Sequence, residues 1–102
     1  MKYLIVSKVR NNLPPERGAA IFLAAKAWVE SALKSKTVDF VYAFPNGGVT
    51  YVVNADSHEA LMTKMREFPL YPFHEHEIRP LVDANASFDL AIQMFGRWSK
   101  RQ

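Results

Sequence analysis

Apolar and polar residues alternate with a period of two from Tyr3 to Val9, with Tyr3, Ile5, Ser7 and Val9 on one side against Leu4, Val6 and Lys8 on the other. That period belongs to a strand, and apolar residues on both sides suit a central strand covered on both faces. The run Asn11-Asn12-Leu13-Pro14-Pro15-Glu16 then breaks the pattern. Proline is tolerated in a first helical turn, and a glutamate there is favoured by the helix dipole. From about Pro15 to Lys36 the period lengthens, and Ile21, Phe22, Ala25, Trp28, Val29, Ala32 and Leu33 fall on one helical face. Lys26 and Glu30 border this stripe at the spacing of a surface ion pair, and Lys34 and Lys36 close the helix.

Alternation returns from Val38 to Phe44, which places Val38, Phe40, Tyr42 and Phe44 on one side. Pro45-Asn46-Gly47-Gly48 predicts a tight hairpin, because Asn-Gly accepts positive φ, and Val49 to Val53 is the return strand. Asp56 or Ser57 caps a second helix whose apolar face holds Leu61, Met62, Met65 and Phe68, with the methionines as core gap-fillers. Phe68-Pro69-Leu70-Tyr71-Pro72-Phe73 ends that helix, since each proline ring fixes φ. The next strand sets Phe73, Glu75 and Glu77 on one side, and His74, His76 and Ile78 on the other.

The order β-α-β-β-α-β predicts a ferredoxin-like α+β domain over residues 1–82, with a four-stranded antiparallel sheet. Residues 83–102 add a C-terminal helix for packing or assembly. Its stripe is Phe88, Ala91, Ile92, Phe95 and Trp98, with Asn85 or Ser87 as cap. Two helices cover one sheet face and leave the other open, with apolar residues on it. A second copy closing sheet on sheet, a dimeric α+β barrel or a larger homo-oligomer, is the simplest cover.

Composition narrows the class. With 102 residues, 49% of them hydrophobic, the chain is long enough for one packed domain, and intrinsic disorder is excluded. No cysteine is present, which excludes disulfides, thiolate metal sites and thiol nucleophiles. No apolar run has the length of a membrane span, and the opening residues are too short for a signal peptide, so a cytoplasmic protein without membrane contact is expected. The net charge of +3 comes from scattered cations apart from Arg97, Lys100 and Arg101, which complement a helix C-terminus. No basic stripe with interleaved aromatics is present, so a nucleic-acid partner is not expected.

The run from Phe68 to Phe73, continuing into Glu77-Ile78-Arg79-Pro80-Leu81, resembles the Leu-Pro-Leu-Phe-Pro-Tyr segment and following strand of the muconolactone Δ-isomerase family. Leu13-Pro14 and Lys26-Ala27-Trp28 are similar to further pieces of that family, and the resemblance extends from Met1 to about Leu81. It implies a dimeric α+β barrel that moves one proton across an unsaturated lactone without a cofactor. The chain departs from the family in its second strand, Val38-Asp39-Phe40-Val41-Tyr42-Ala43, which lacks the family's Trp, Arg and His. It departs also at Ala25, where the family has an acid, and at His74 and His76, where the family has apolar residues.

A 1,3-proton shift needs a base near an acidic C–H and a donor or cation to hold enolate charge. His74 and His76 are the candidate proton carriers, because imidazole titrates near neutrality, and Lys26 is the candidate cation. Tyr3, Tyr42 and Tyr51 offer phenolic donors, and Tyr71 and Phe73 complete the set expected to contact a small apolar organic ligand. Two other readings of the histidines stand beside this one. They can be ordinary strand residues satisfied by neighbours, or two ligands of a divalent ion with His58 or Asp56 as a third; no metal or cofactor is expected. The functional expectation is a cofactor-independent isomerase acting on a small unsaturated lactone or cyclic acid. The alternative is a non-catalytic ligand-binding or assembly domain of the same fold, and oxygen-dependent or haem chemistry would rest on fold analogy alone.

Overall fold

The computed structural model describes residues 1–100, without the side chains of Ser99 and Lys100. The chain runs β1 (Lys2–Val9), α1 (Gly18–Lys34), β2 (Val38–Ala43), β3 (Val49–Asn54), α2 (His58–Glu67), a 3-10 turn at Tyr71–Phe73, β4 (His74–Leu81) and α3 (Ala84–Lys100). All strand pairs are antiparallel and the sheet order is β2-β3-β1-β4, the ferredoxin-like arrangement. Of the C-terminal cation cluster, the Lys100 side chain and Arg101 lie outside the described residues.

The core forms where α1 and α2 cover one face of the sheet. Tyr3 and Ile5 of β1, Tyr51 and Val53 of β3 and Val38 of β2 pack against Ala32 of α1 and Leu61 and Met65 of α2. Behind them Trp28, Tyr51 and Phe68 form an aromatic cluster with ring centroids 4.8–5.9 Å apart, in tilted and edge geometries that suit π-quadrupoles. Phe68 therefore belongs to the core, as its place at the end of the second helix predicts.

Several local expectations change. A register shift between Val38 and Val41 opposes four residues of β2 to three of β3. The bulge breaks the simple alternation, so Val38 and Val41 pair with core residues while Phe40 and Tyr42 lie together, 5.6 Å between ring centroids, on the uncovered face. Positive φ in the hairpin falls on Gly47 and Gly48, not on Asn46. On α1 the stripe is narrower than its sequence period: Phe22 and Leu33 are exposed. Lys26 and Glu30, both exposed, do not pair; the ion pairs among the described residues are Lys2–Asp39 and Glu77–Arg79. Ser57 caps α2 by accepting from the Ala60 N–H. In α3 the capping role falls to Asp83, whose carboxylate accepts from the Ala86 N–H, rather than to Asn85 or Ser87.

The third helix leaves the body of the domain. It has hardly any contact with the sheet or the other helices, and the chain spans 68 × 27 × 23 Å. Its radius of gyration is 18.2 Å, where a compact chain of 100 residues would have about 13 Å. Phe88, Leu90, Ile92, Met94, Phe95 and Trp98 are all exposed along it.

Candidate functional site

The edge strand β4 is where the helical layer stops short of the sheet. Its register with β1 pairs Val9 with His74, Ser7 with His76, Ile5 with Ile78 and Tyr3 with Pro80. Because Tyr3 and Ile5 face the helices, both imidazoles face them too, and Glu75 and Glu77 start from the opposite side of the strand. Between this row and α2 lies an open cavity of about 830 Å³. His74, His76 and Tyr3 line it from the sheet side, Tyr71 from the 3-10 turn, Met62 and His58 from α2, and Arg10 from the end of β1.

The 3-10 turn closes one end. The Phe73 carbonyl accepts from the N–H groups of Arg10 and Asn11 at 2.9 and 3.0 Å, which ties the exit of β1 to the entrance of β4. That tie brings the Arg10 side chain to the same wall as the imidazoles. Tyr71, carried by the same turn, stacks on His76 with centroids 4.6 Å apart. The proline run thus does more than stop a helix: it shapes the mouth of the cavity.

Two histidines each pair with a hydroxyl of β1. Ser7 Oγ lies 2.7 Å from His74 Nδ1, a bond in which both residues are buried. The Tyr3 hydroxyl lies 2.8 Å from His58 Nδ1, with the rings edge-on. His76 has no such bond, and its Nε2 is buried without a partner. Burial holds the His74 pKa below the ordinary imidazole value. Burial also lowers that of His76, helped by the nearby charges of His74 and Arg10. Both shifts favour the neutral ring, the form that can accept a proton.

The predicted site residues divide accordingly. His74, His76, Tyr3 and Tyr71 come together at the cavity, while Lys26 is exposed on α1 and does not line it. Arg10 is the cation there. Tyr51 is fully buried in the core, its hydroxyl without a partner and its pKa driven upward by burial and by Tyr71. Tyr42 stands on the opposite sheet face, and Phe73 is half-buried in the turn without lining the cavity. Met62, predicted as core, is exposed and lines the cavity. Among the described residues no three His, Asp or Glu side chains are grouped to hold a metal ion. His58, the suggested third ligand, is engaged by Tyr3 instead. No described helix is long and apolar enough to cross a membrane.

Arg10 at the cavity and Ser7 behind His74 are not among the residues predicted for the site. Ser7 carried a signal, being the one polar residue in an otherwise apolar buried row, Tyr3-Ile5-Ser7. Arg10 carried none, since only the tie to Phe73 places it.

The family described as Domain of unknown function (DUF3303) matches residues 1–95. The chain belongs to that family. Comparison with curated proteins finds no match. Among solved structures, muconolactone isomerase superposes on this DUF3303 protein with a TM-score of 0.71 at 17% identity, over 81% of this chain and 90% of that one. The 5-chloro-2-hydroxyhydroquinone dehydrochlorinase of Burkholderia phenoliruptrix, solved in complex with 2,5-dihydroxybenzoquinone, gives 0.60 at 16% identity, over 84% and 98%. The fold implied by the proline run is thus the fold of the chain: a muconolactone-isomerase-like, ferredoxin-like α+β domain.

Proposed function

We propose that this DUF3303 protein is a cofactor-independent enzyme that shifts a proton on a small unsaturated lactone or cyclic acid. The observation that carries this reading is the cavity beside β4, where the imidazoles of His74 and His76 and the Arg10 guanidinium line one wall, Glu75 stands at the rim, and Leu61, Met62, Met65 and Ile78 supply apolar surface. Its volume of about 830 Å³ falls within the range of small-ligand sites. The two proteins of similar fold support the substrate class: one is named for muconolactone, and the other was solved with a dihydroxybenzoquinone.

In this mechanism an imidazole removes a proton from carbon, and the electron pair moves into the conjugated system. The same imidazole returns the proton two carbons along, so nothing is oxidised or reduced. Arg10 takes the role first assigned to Lys26 and holds the negative charge of the carboxylate or enolate. The Tyr3 hydroxyl, at the other end of the row, supplies a donor when His58 Nδ1–H donates to its oxygen and leaves the O–H free. A second copy covers the open sheet face, giving a homodimer or a larger homo-oligomer.

The test is proton NMR of muconolactone and related butenolides in D₂O, with and without the protein. Protein-dependent deuterium entry or double-bond migration is expected, and it should be lost in His74→Gln. If no deuterium enters any of these rings while the protein remains folded, the isomerase reading fails. Ligand broadening under the same conditions would then favour a binding domain without turnover.

A further inference from the structure

Ser7 has no side-chain exposure, and His74 keeps only 7%. They are the two polar residues in the buried set of the described chain, and they are bonded to each other at 2.7 Å. The pairing is not the one that strand register makes easiest. Ser7 sits directly opposite His76, and His74 is its diagonal neighbour, opposite Val9. The hydroxyl nevertheless engages the diagonal ring through Nδ1, while His76 is left with a buried, unpartnered Nε2 and a ring covered by Tyr71. The two imidazoles thus differ in kind. One is anchored by a side chain; the other is held by stacking alone.

An imidazole has two nitrogens, and a neutral ring carries its proton on one of them. With Nδ1 tied to a buried hydroxyl, Nε2 of His74 is the nitrogen left for a molecule in the cavity that this histidine lines. We propose that Ser7 is a positioning residue for His74: its oxygen accepts from Nδ1–H and so presents Nε2 as a free lone pair toward the cavity. This rests on the reading of that cavity as a proton-transfer site, and it assigns the proton carrier to His74 rather than His76.

The hydroxyl suits the task in both states of the ring. When Nε2 takes a proton from carbon, the imidazolium still donates from Nδ1 to the same oxygen, and the bond becomes charge-assisted without any atom moving. When the proton returns to carbon, the ring is again neutral with Nδ1 protonated. Electrons stay in the substrate throughout, and the proton visits one nitrogen only. Burial favours the neutral ring, and of the surrounding groups Arg10 acts in the same direction while the Glu75 carboxylate acts against it. His76 and Arg10 line the same wall, Tyr71 and His58 line the cavity, and Glu75 reaches its rim from the adjacent position of β4.

The experiment reads the tautomer directly, by long-range proton–nitrogen correlation of the imidazoles in ¹⁵N-labelled full-length protein. The His74 signals are assigned by their loss in His74→Gln. At a pH where the ring is neutral, wild-type protein is expected to show a clear excess of the Nδ1–H tautomer, the mark of a hydroxyl that accepts from the ring rather than donating to it. Ser7→Ala is expected to bring the two tautomers close to parity. A near-equal mixture or an excess of the Nε2–H form in the wild type overturns the proposal without any variant, so it stays testable if Ser7→Ala fails to fold. An unchanged tautomer ratio in folded Ser7→Ala also overturns it. The readout does not depend on turnover: a single tautomer with no deuterium exchange on any butenolide would remove the isomerase reading and leave the Ser7–His74 relationship standing. Where exchange is seen, Ser7→Ala should lower kcat by about tenfold with little change in KM, the pattern of a lost transition-state contribution.

Discussion

Tyr71 lies flat against His76, their ring centroids 4.6 Å apart and their planes within 20°. The tyrosine comes from a 3-10 turn fixed by Pro72 and by the hydrogen bonds from Arg10 and Asn11 to Phe73, so the stack is supported by backbone. It shields one face of an imidazole whose pKa is lowered first by burial, then by His74 and Arg10. Removing the ring should rehydrate His76 and raise its titration midpoint toward the ordinary value. Tyr71→Ala is expected to do so, and Tyr71→Phe, which keeps the stack, is not. Proton NMR titration of the His76 ring signals decides between them; equal midpoints in all three proteins would show that stacking does not set this pKa.

Gly48 carries a second constraint on the site, at longer range. A Cβ built there would stand 2.2 Å from the Ser7 carbonyl oxygen and 3.1 Å from Lys8 Cα, at a φ of +92° that side chains rarely adopt. The obstacle is backbone, so it cannot swing aside. At Gly47 the nearest atom is the end of the Val9 side chain, at 3.0 Å. Gly48→Ala should therefore cost about 3 kcal/mol of stability, near the upper end for a single strained backbone position. Gly47→Ala should cost less. Urea unfolding of both variants checks the order, and a larger loss at Gly47 would contradict it.

Much of this architecture is legible in the chain because two periods, two and 3.6, are written plainly into it. The strand-forming alternation at Tyr3–Val9, the helical stripes at Ile21–Leu33 and Leu61–Phe68, the proline run after Phe68 and the Asn-Gly-Gly turn place the strands and helices of the ferredoxin-like unit. What is not legible has a physical cause in each case. The bulge in β2 moves Phe40 and Tyr42 to the far face, and no pattern of residue types marks one extra residue in a strand. Phe22 lies on the predicted apolar stripe of α1 yet remains exposed, because a helical face is wider than the sheet surface available to it. His74 and His76 are found by alternation alone. Arg10 is not, since its approach depends on a tertiary hydrogen bond between two chain segments distant in sequence.

The buried histidines also set a pH window for stability. Both have pKa values below the ordinary 6.5, with burial as the leading cause. The unfolded chain, whose histidines are ordinary, binds more protons than the folded one between those lowered values and about 6.5. Stability from these two residues is therefore fully present above about pH 6.5 and is lost as pH falls through the folded-state values. Asp39, lowered by its bonds to Lys2 and Asn54, acts only in a more acidic window. Thermal melts should show a lower Tm at pH 5 than at pH 7.5, and a smaller difference in the His74→Gln/His76→Gln variant. An unchanged difference would assign the acid sensitivity to other groups.

The exposed stripe of α3 is expected to be covered by a second copy of the chain. A 17-residue helix is marginal in water by itself, and this one has almost no contact within its own chain. Four large apolar side chains share one face of it, Phe88, Ile92, Phe95 and Trp98, and all four are exposed. At about 1.5–3 kcal/mol for each one buried, covering them offers roughly 6–12 kcal/mol per helix. Association costs on the order of 4–15 kcal/mol in lost freedom, so α3 supplies a large share of what a dimer needs and the open sheet face adds to it. Wild-type protein is expected to sediment at two or more multiples of 11.6 kDa. Phe88→Glu/Phe95→Glu should shift it toward the monomer while leaving the Ser7–His74 pair intact, because neither residue touches the core. A wild-type protein that sediments as a monomer, or a double variant that assembles as the wild type does, would show that α3 is not the joint.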